Sequence, residues 1–301
     1  MVRRPVEART DRPRTAKGFR PGPCASSHLV RDLGRSVASV LTEIADGVYV
    51  RQSAFCRSNA TVVRGDDGVL LVDPGVDGRD LAELTDDLER LGHAVVLGFA
   101  THPHWDHVLW HERFGTPRRL ATAACVGAAH ALRARLQERA AELAPGAAPS
   151  LVGRIVPLPA DATALPWSGP EVRVTEHQAH APGHAALLIP ERGVLIAGDM
   201  LSDVEIPLFD PDGDDPAGDY AAGLDQLAAL CASGVTTAVP GHGAVATGAE
   251  IDARIAADRT YVGALRDGVD PHDPRVEPGA SYGTDWLPEA HERNIGLAGN
   301  R

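Results

Sequence analysis

The sequence predicts an α/β fold in which β-sheets pack on each other and helices cover the outside. Two observations predict it. In each half of the 301-residue chain, blocks of short apolar runs of strand type are followed by segments of helical period, the pattern of sheets with helices laid over them. Several of those runs also end in His or Asp beside a glycine, which collects polar groups along one sheet edge. A chain of this length with 44% hydrophobic residues can bury a substantial core.

Ordered structure is expected from about Leu41. Val48–Val50, Ala60–Val63 and Val69–Val72 read as strands, with Gly65-Asp66-Asp67-Gly68 as the tightest turn between them. The third run stops at Asp73-Pro74-Gly75, and Leu81, Leu84, Leu88 and Leu91 then follow at helical spacing up to Gly92. Ala94–Ala100 is the next strand. Residues 119–143, rich in Ala, Arg and Leu, read as one helix ended by Pro145-Gly146. Strands are expected at Arg154–Leu158, Glu171–Thr175, Ala185–Ile189, Gly193–Ala197 and Val235–Val239. Helices are expected around Tyr220–Cys231 and Ile251–Leu265.

The strand ending at Ala100 leads into Thr101-His102-Pro103-His104-Trp105-Asp106-His107. Imidazole and carboxylate are the donors that borderline divalent metals prefer. His102 and His104, two apart on extended backbone, face one side and can grip one ion. Asp106 and His107 are adjacent and diverge, which suits a second ion nearby. Further strand ends carry Asp73, the trio His177, His180 and His184, then Gly198-Asp199 and Pro240-Gly241-His242-Gly243. Each is weak alone; converging on one edge, they would make a metal cleft.

The succession His102-x-His104-x-Asp106-His107, His180-Ala181-Pro182-Gly183-His184, Gly198-Asp199 and Pro240-Gly241-His242 resembles the metallo-β-lactamase-fold hydrolase superfamily over about residues 41–245. The resemblance implies a four-layer αβ/βα sandwich with two divalent metal ions at one edge, zinc first, iron or manganese as alternatives. It assigns His102, His104 and His184 to the first ion, Asp106, His107 and His242 to the second, and Asp199 to both. Asp73 would orient the site rather than ligate. His177 and His180 are left either orienting a ligand or stabilising a turn.

A water bridging two ions held by neutral imidazoles would act as hydroxide near neutral pH, with Asp106 steering it and accepting its proton. The expected activity is hydrolysis of a small ester, thioester or lactone. Asp rather than Cys at position 199 departs from the best-known β-lactamases and sides with the glyoxalase II, lactonase and phosphodiesterase branches. Val108-Leu109-Trp110 is bulkier than glyoxalase II usually allows there. An oxidoreductase resembling the mononuclear iron persulfide dioxygenases, a β-lactamase-like amide hydrolase and a non-enzymatic sensor stay open as alternatives. Trp105 and Trp110 either wall the cleft or pack the core. Asp210-x-Asp212-x-Asp214 is not a calcium loop, because Asp215 stands where that loop needs glycine and Ala221 where it needs a bidentate acid. Residues 201–218 are expected to form an acidic loop over the cleft.

Charge narrows the partners. Residues 1–35 carry nine basic against three acidic side chains and lack an apolar run, so residues 1–40 are expected to be a disordered leader and not a secretory signal. The formal total of −12 then leaves −18 on the rest of the chain. That charge repels phosphodiester backbones, so nucleic acid is excluded as a partner. No run reaches the length of a membrane span. A small-molecule substrate and a homodimer are the expected partners. Cys24, Cys56, Cys125 and Cys231 lack paired spacing and read as free thiols of a cytoplasmic protein. Residues 251–301 are expected to pack on the same domain as 41–250.

Overall fold

A computed structural model describes residues 40–299. Two sheets account for its strands. The first has seven, in chain order: β1 (Thr42–Ala45), β2 (Val48–Gln52), β3 (Asn59–Arg64), β4 (Val69–Val72), β5 (Val95–Phe99), β6 (Arg118–Ala121) and β7 (Val156–Pro157). β1 to β4 form an antiparallel meander, and β4 to β7 run parallel. The second sheet has the order β12 (Ala246–Thr247), β11 (Thr237–Pro240), β10 (Val194–Gly198), β9 (His184–Ile189), β8 (Arg173–His177), with only β10 and β11 parallel.

Alternation along the strands builds the layers. In β4, Leu70 and Val72 join a core shared with Leu187, Ile189, Val194 and Ile196 of the second sheet. Val69 and Leu71 face the other way, onto Leu81, Leu84 and Leu88 of α1 (Gly78–Arg90). The second sheet repeats this, with Leu188, Leu195 and Ala238 turned toward α4 (Pro216–Cys231), α5 (Ala249–Arg266) and α6 (Leu287–Ala298). A period of two with both faces buried requires cover on both sides. The result is the expected helix–sheet–sheet–helix sandwich.

Helix ends follow local chemistry. Asp77 caps α1 by accepting from Asp80 N, and Gly92 (φ +71°) follows its last turn as expected. Residues 119–143 are not one helix. Arg118–Ala121 pairs in parallel with β5 as β6, Thr122 caps α2 (Ala123–Ala131), and α3 (Arg133–Leu143) follows separately. Pairing to a buried neighbour strand overrides the helix propensity of Arg and Leu there. Of residues 201–218, expected as an acidic loop over the cleft, 201–215 lie outside helices and strands and 216–218 open α4. Leu201, Ile206, Leu208 and Phe209 are buried in the core under α4 and α6.

Cys125 and Cys231 are free thiols. Cys56 is disulfide-bonded, contrary to the expectation of four free thiols, and Cys24 lies outside the described residues. The basic leader also lies outside them, but for Val40. Among the described residues, no helix is long and apolar enough to cross a membrane.

Candidate metal centre

The polar strand ends meet where the carboxyl ends of β4, β5, β10 and β11 come together. Backbone bonds stitch the two sheets at this edge: Ala185 N donates to Thr101 O (2.9 Å) and Asn59 N to Gly241 O (2.8 Å). The Asn59 amide also donates to Pro240 O and Gly243 O, each at 2.8 Å. Edges joined in this way hold side chains from both halves in fixed relation.

Two groups of metal-ligand type result. His102, His104, His180 and Asp199 place one donor atom each within 4.8 Å of one another, as do Asp106, His107 and His242. In the first group, His104 Nδ1 lies 3.0 Å from both His102 Nε2 and His180 Nε2. Imidazoles sharing one tetrahedral zinc sit about 3.3 Å apart, given bonds of ~2.0–2.1 Å. In the second, Asp106 Oδ2 lies 3.2 Å from His242 Nε2 and 3.7 Å from His107 Nε2. Asp199 stands between the groups: Oδ1 is 3.2 Å from His107 Nε2, and Oδ2 is 3.3 to 3.5 Å from Nε2 of His180, His102 and His242.

Second bonds on the rings set this geometry. The Nδ1 atoms donate outward: His102 to Thr101 Oγ1, His107 to Asp73 Oδ2, His180 to Leu208 O and His242 to Cys56 O, at 2.8 to 3.1 Å. Each such bond fixes the ring so that Nε2 faces inward. Asp73 also accepts from Thr101 N and Thr101 Oγ1, which ties the start of the His-rich turn to the end of β4. Glycine is required at two points. A Cβ on Gly198 (φ +57°) would overlap His184 Nε2, and one on Gly241 would overlap Asp199 Oδ1.

The structure departs from the expected ligand set at one position. The resemblance assigns His184 to the first group, but His180 occupies that place. Both nitrogens of His184 are committed to backbone: Nδ1 donates to Ala179 O (3.1 Å), and Nε2 accepts from Asp199 N (3.2 Å). His184 therefore pins the Gly198-Asp199 turn. The reason is positional. β9 begins at His184, whereas His180 (φ +70°) lies in the preceding turn, at the sheet edge. His177 touches the His184 ring and has no hydrogen-bond partner on either nitrogen. Trp105 and Trp110 are core residues, not cleft walls, both buried under the first sheet.

Two residues at the centre were not foreseen. Glu205 is 5% exposed, and ligand-type atoms of Glu205, Asp199 and His242 lie within 4.8 Å of one another. Tyr282 Oη stands 3.0 Å from Glu205 Oε1. The available signal for Glu205 was a lone carboxylate inside the run Val204–Leu208.

Electrostatics at the centre suit a cation. Burial pushes His102 and His104 well below the ordinary imidazole range, so both are neutral donors. Burial pushes Asp199 and Asp106 up, but His107 and His242 outweigh it and hold both carboxylates low. Burial lowers His107, yet Asp199, Asp106 and Asp73 raise it well above its usual value. The carboxylates thus draw positive charge into a buried space. Asp199 Oδ1, also buried, has no hydrogen-bond donor. Converging imidazole nitrogens and an undonated carboxylate oxygen fit divalent metal ions.

Two packed sheets with helices outside and a His/Asp centre at one edge define a metallohydrolase-type sandwich. The chain belongs to the metallo-beta-lactamase superfamily, whose family model matches residues 54–242. Solved structures share the fold. The stereoselective inverting sec-alkylsulfatase Pisa1 from Pseudomonas sp. superposes with a TM-score of 0.65 at 17% identity, over 87% of this chain and 51% of Pisa1. This chain therefore spans about half the length of Pisa1. A metallo-beta-lactamase family protein from Thermus thermophilus gives 0.59 at 24% identity, over 75% of this chain and 82% of its own. A beta-lactamase domain protein from Burkholderia ambifaria gives 0.60 at 21% identity, over 79% and 80%. No curated protein sequence matches significantly. Family membership and the His/Asp groups together point to a metal-dependent hydrolase.

Proposed function

We propose that this protein hydrolyses a small ester, thioester or lactone at a centre of two divalent ions, with zinc as the leading metal. The observation that carries the reading is the pair of ligand groups sharing Asp199. His102, His104 and His180 would hold one ion, Asp106, His107 and His242 the other, and Asp199 both. Such ions supply Lewis acidity to a carbonyl and lower the pKa of water toward neutrality.

The chain's own groups do the rest. Asp106, held below the ordinary carboxylate range by His107 and His242 against the effect of burial, is ionised at neutral pH. It can orient water and accept its proton. Asp73 keeps the His107 ring in place through Nδ1. The buried segment 201–210 closes one side of the centre, since His180 Nδ1 bonds to Leu208 O. That enclosure favours a small substrate over a polymer, and the net charge of −12 disfavours polyanions.

Metal quantification of the purified protein, followed by an ester, thioester and lactone panel, tests the proposal. Close to two ions per chain and hydrolysis by the zinc or manganese form are expected. One iron per chain, with neither zinc nor manganese supporting hydrolysis, would overturn it in favour of an oxygenase.

A further inference from the structure

The mechanism leaves one buried carboxylate at the centre unused. Glu205 is fixed at both ends of its peptide: its N–H donates to Ser202 Oγ (3.0 Å), and its carbonyl accepts from Arg275 (2.8 Å). Arg275 is itself held by Asp258 and Asp273, each at 2.8 Å. On the side chain, Tyr282 Oη stands 3.0 Å from Oε1. The carboxylate is therefore locked within 4.8 Å of donor atoms of Asp199 and His242. His242 does not need Glu205 as its outer partner, because its Nδ1 already donates to Cys56 O at 2.8 Å and lies 3.9 Å from Glu205. Asp199 Oδ1, 3.2 Å from His107 Nε2, accepts no hydrogen bond. Two ionised carboxylates this close in a buried space repel each other, and either a proton or a cation between them relieves the repulsion.

We infer that Glu205 is a further ligand of the second metal position, making that position rich in oxygen while the first stays rich in nitrogen. The inference rests on the two-ion reading above. Three carboxylates, Asp106, Asp199 and Glu205, with two imidazoles suit a harder ion of higher coordination number, such as Mn²⁺. Three imidazoles and one carboxylate suit tetrahedral Zn²⁺. The two positions then select different metals, with Glu205 as the discriminating residue.

The test needs no substrate. Metal-free full-length protein is given one equivalent of Zn²⁺, and binding of a second ion, Mn²⁺ or Co²⁺, is followed by chelator competition and spectroscopy. The wild type is expected to take up Mn²⁺ after zinc and to give weak, five- or six-coordinate Co²⁺ bands. Glu205→Gln should lower Mn²⁺ affinity at least about tenfold, leaving the first Zn²⁺ unchanged. Glu205→Asp, which keeps the charge, should recover part of the loss. A Glu205→Gln protein that binds the second ion as tightly as wild type would overturn the inference. Intense tetrahedral Co²⁺ bands in the wild type would overturn it even if the variants fail to fold. A wild type that binds no metal would instead overturn the proposed function, and this inference with it.

Discussion

Five imidazoles converge at the centre, and four of them present Nε2 inward because Nδ1 is bonded to a named oxygen outside. Exchanging the roles of His180 and His184 is not neutral, although both are buried histidines four residues apart. His180→Ala is expected to lose the first ion, seen as one missing metal equivalent. His184→Ala should keep both ions but lose about 1–3 kcal/mol of stability, since Asp199 N and Ala179 O are left unpaired. Metal analysis with urea unfolding distinguishes them, and the reverse pattern would restore His184 as the ligand. Asp106→Asn keeps size and an oxygen donor but removes the proton acceptor. Turnover should fall by about 10²–10⁴-fold while the first ion is retained. Wild-type turnover in this variant would remove Asp106 from the mechanism.

Among the elements, β8 ends in a residue whose charge state matters. Burial lowers His177 to about 4, and the neighbouring His180 adds to the shift. A histidine that stays neutral when folded, but charges near pH 6.5 when unfolded, favours the unfolded chain as acid is added. Its contribution is therefore fully present above about pH 6.5 and is lost progressively down to about pH 4, at up to ~1.4 kcal/mol per pH unit. His177→Leu should flatten the acid side of the stability curve relative to wild type, measured as urea midpoints between pH 7 and pH 4.5. Parallel curves for the two proteins would show that His177 does not carry this penalty. The segment after β10 behaves differently, because Arg275 and Asn294 tie its carbonyls to the C-terminal region.

At the scale of the whole molecule, the centre joins the two sheets. The first sheet supplies Asp73 and the His102–His107 turn, and the second supplies His180, Asp199 and His242. An ion bound only in the folded state stabilises by mass action, about 4 kcal/mol at a thousandfold excess over Kd. Chelation should therefore lower Tm markedly, and readdition of Zn²⁺ should restore it. A Tm indifferent to chelator would show that the sheets hold their edge without metal.

Much of this was legible from local pattern. Val69–Val72, the helix of Leu81, Leu84 and Leu88 (with Leu91 an exposed C-cap) and the strand before Thr101 are legible because period and turn residues act within a few positions. The run His102–His107, Asp199 and His242 was legible as chemistry, since its donors cluster in sequence or sit beside glycine at strand ends. Strand β6 was not, because Arg118–Ala121 is a strand only by virtue of its pairing with β5. The choice between His180 and His184 was equally out of reach. It depends on where β9 begins and on which backbone atoms each ring meets. Glu205 and Tyr282 lie 77 residues apart and come together only through the C-terminal packing. Local pattern is enough to name the donors and the layered sandwich that carries them. Which donors share a centre depends on packing between distant segments, because a ring nitrogen taken by a backbone partner is not available to a metal.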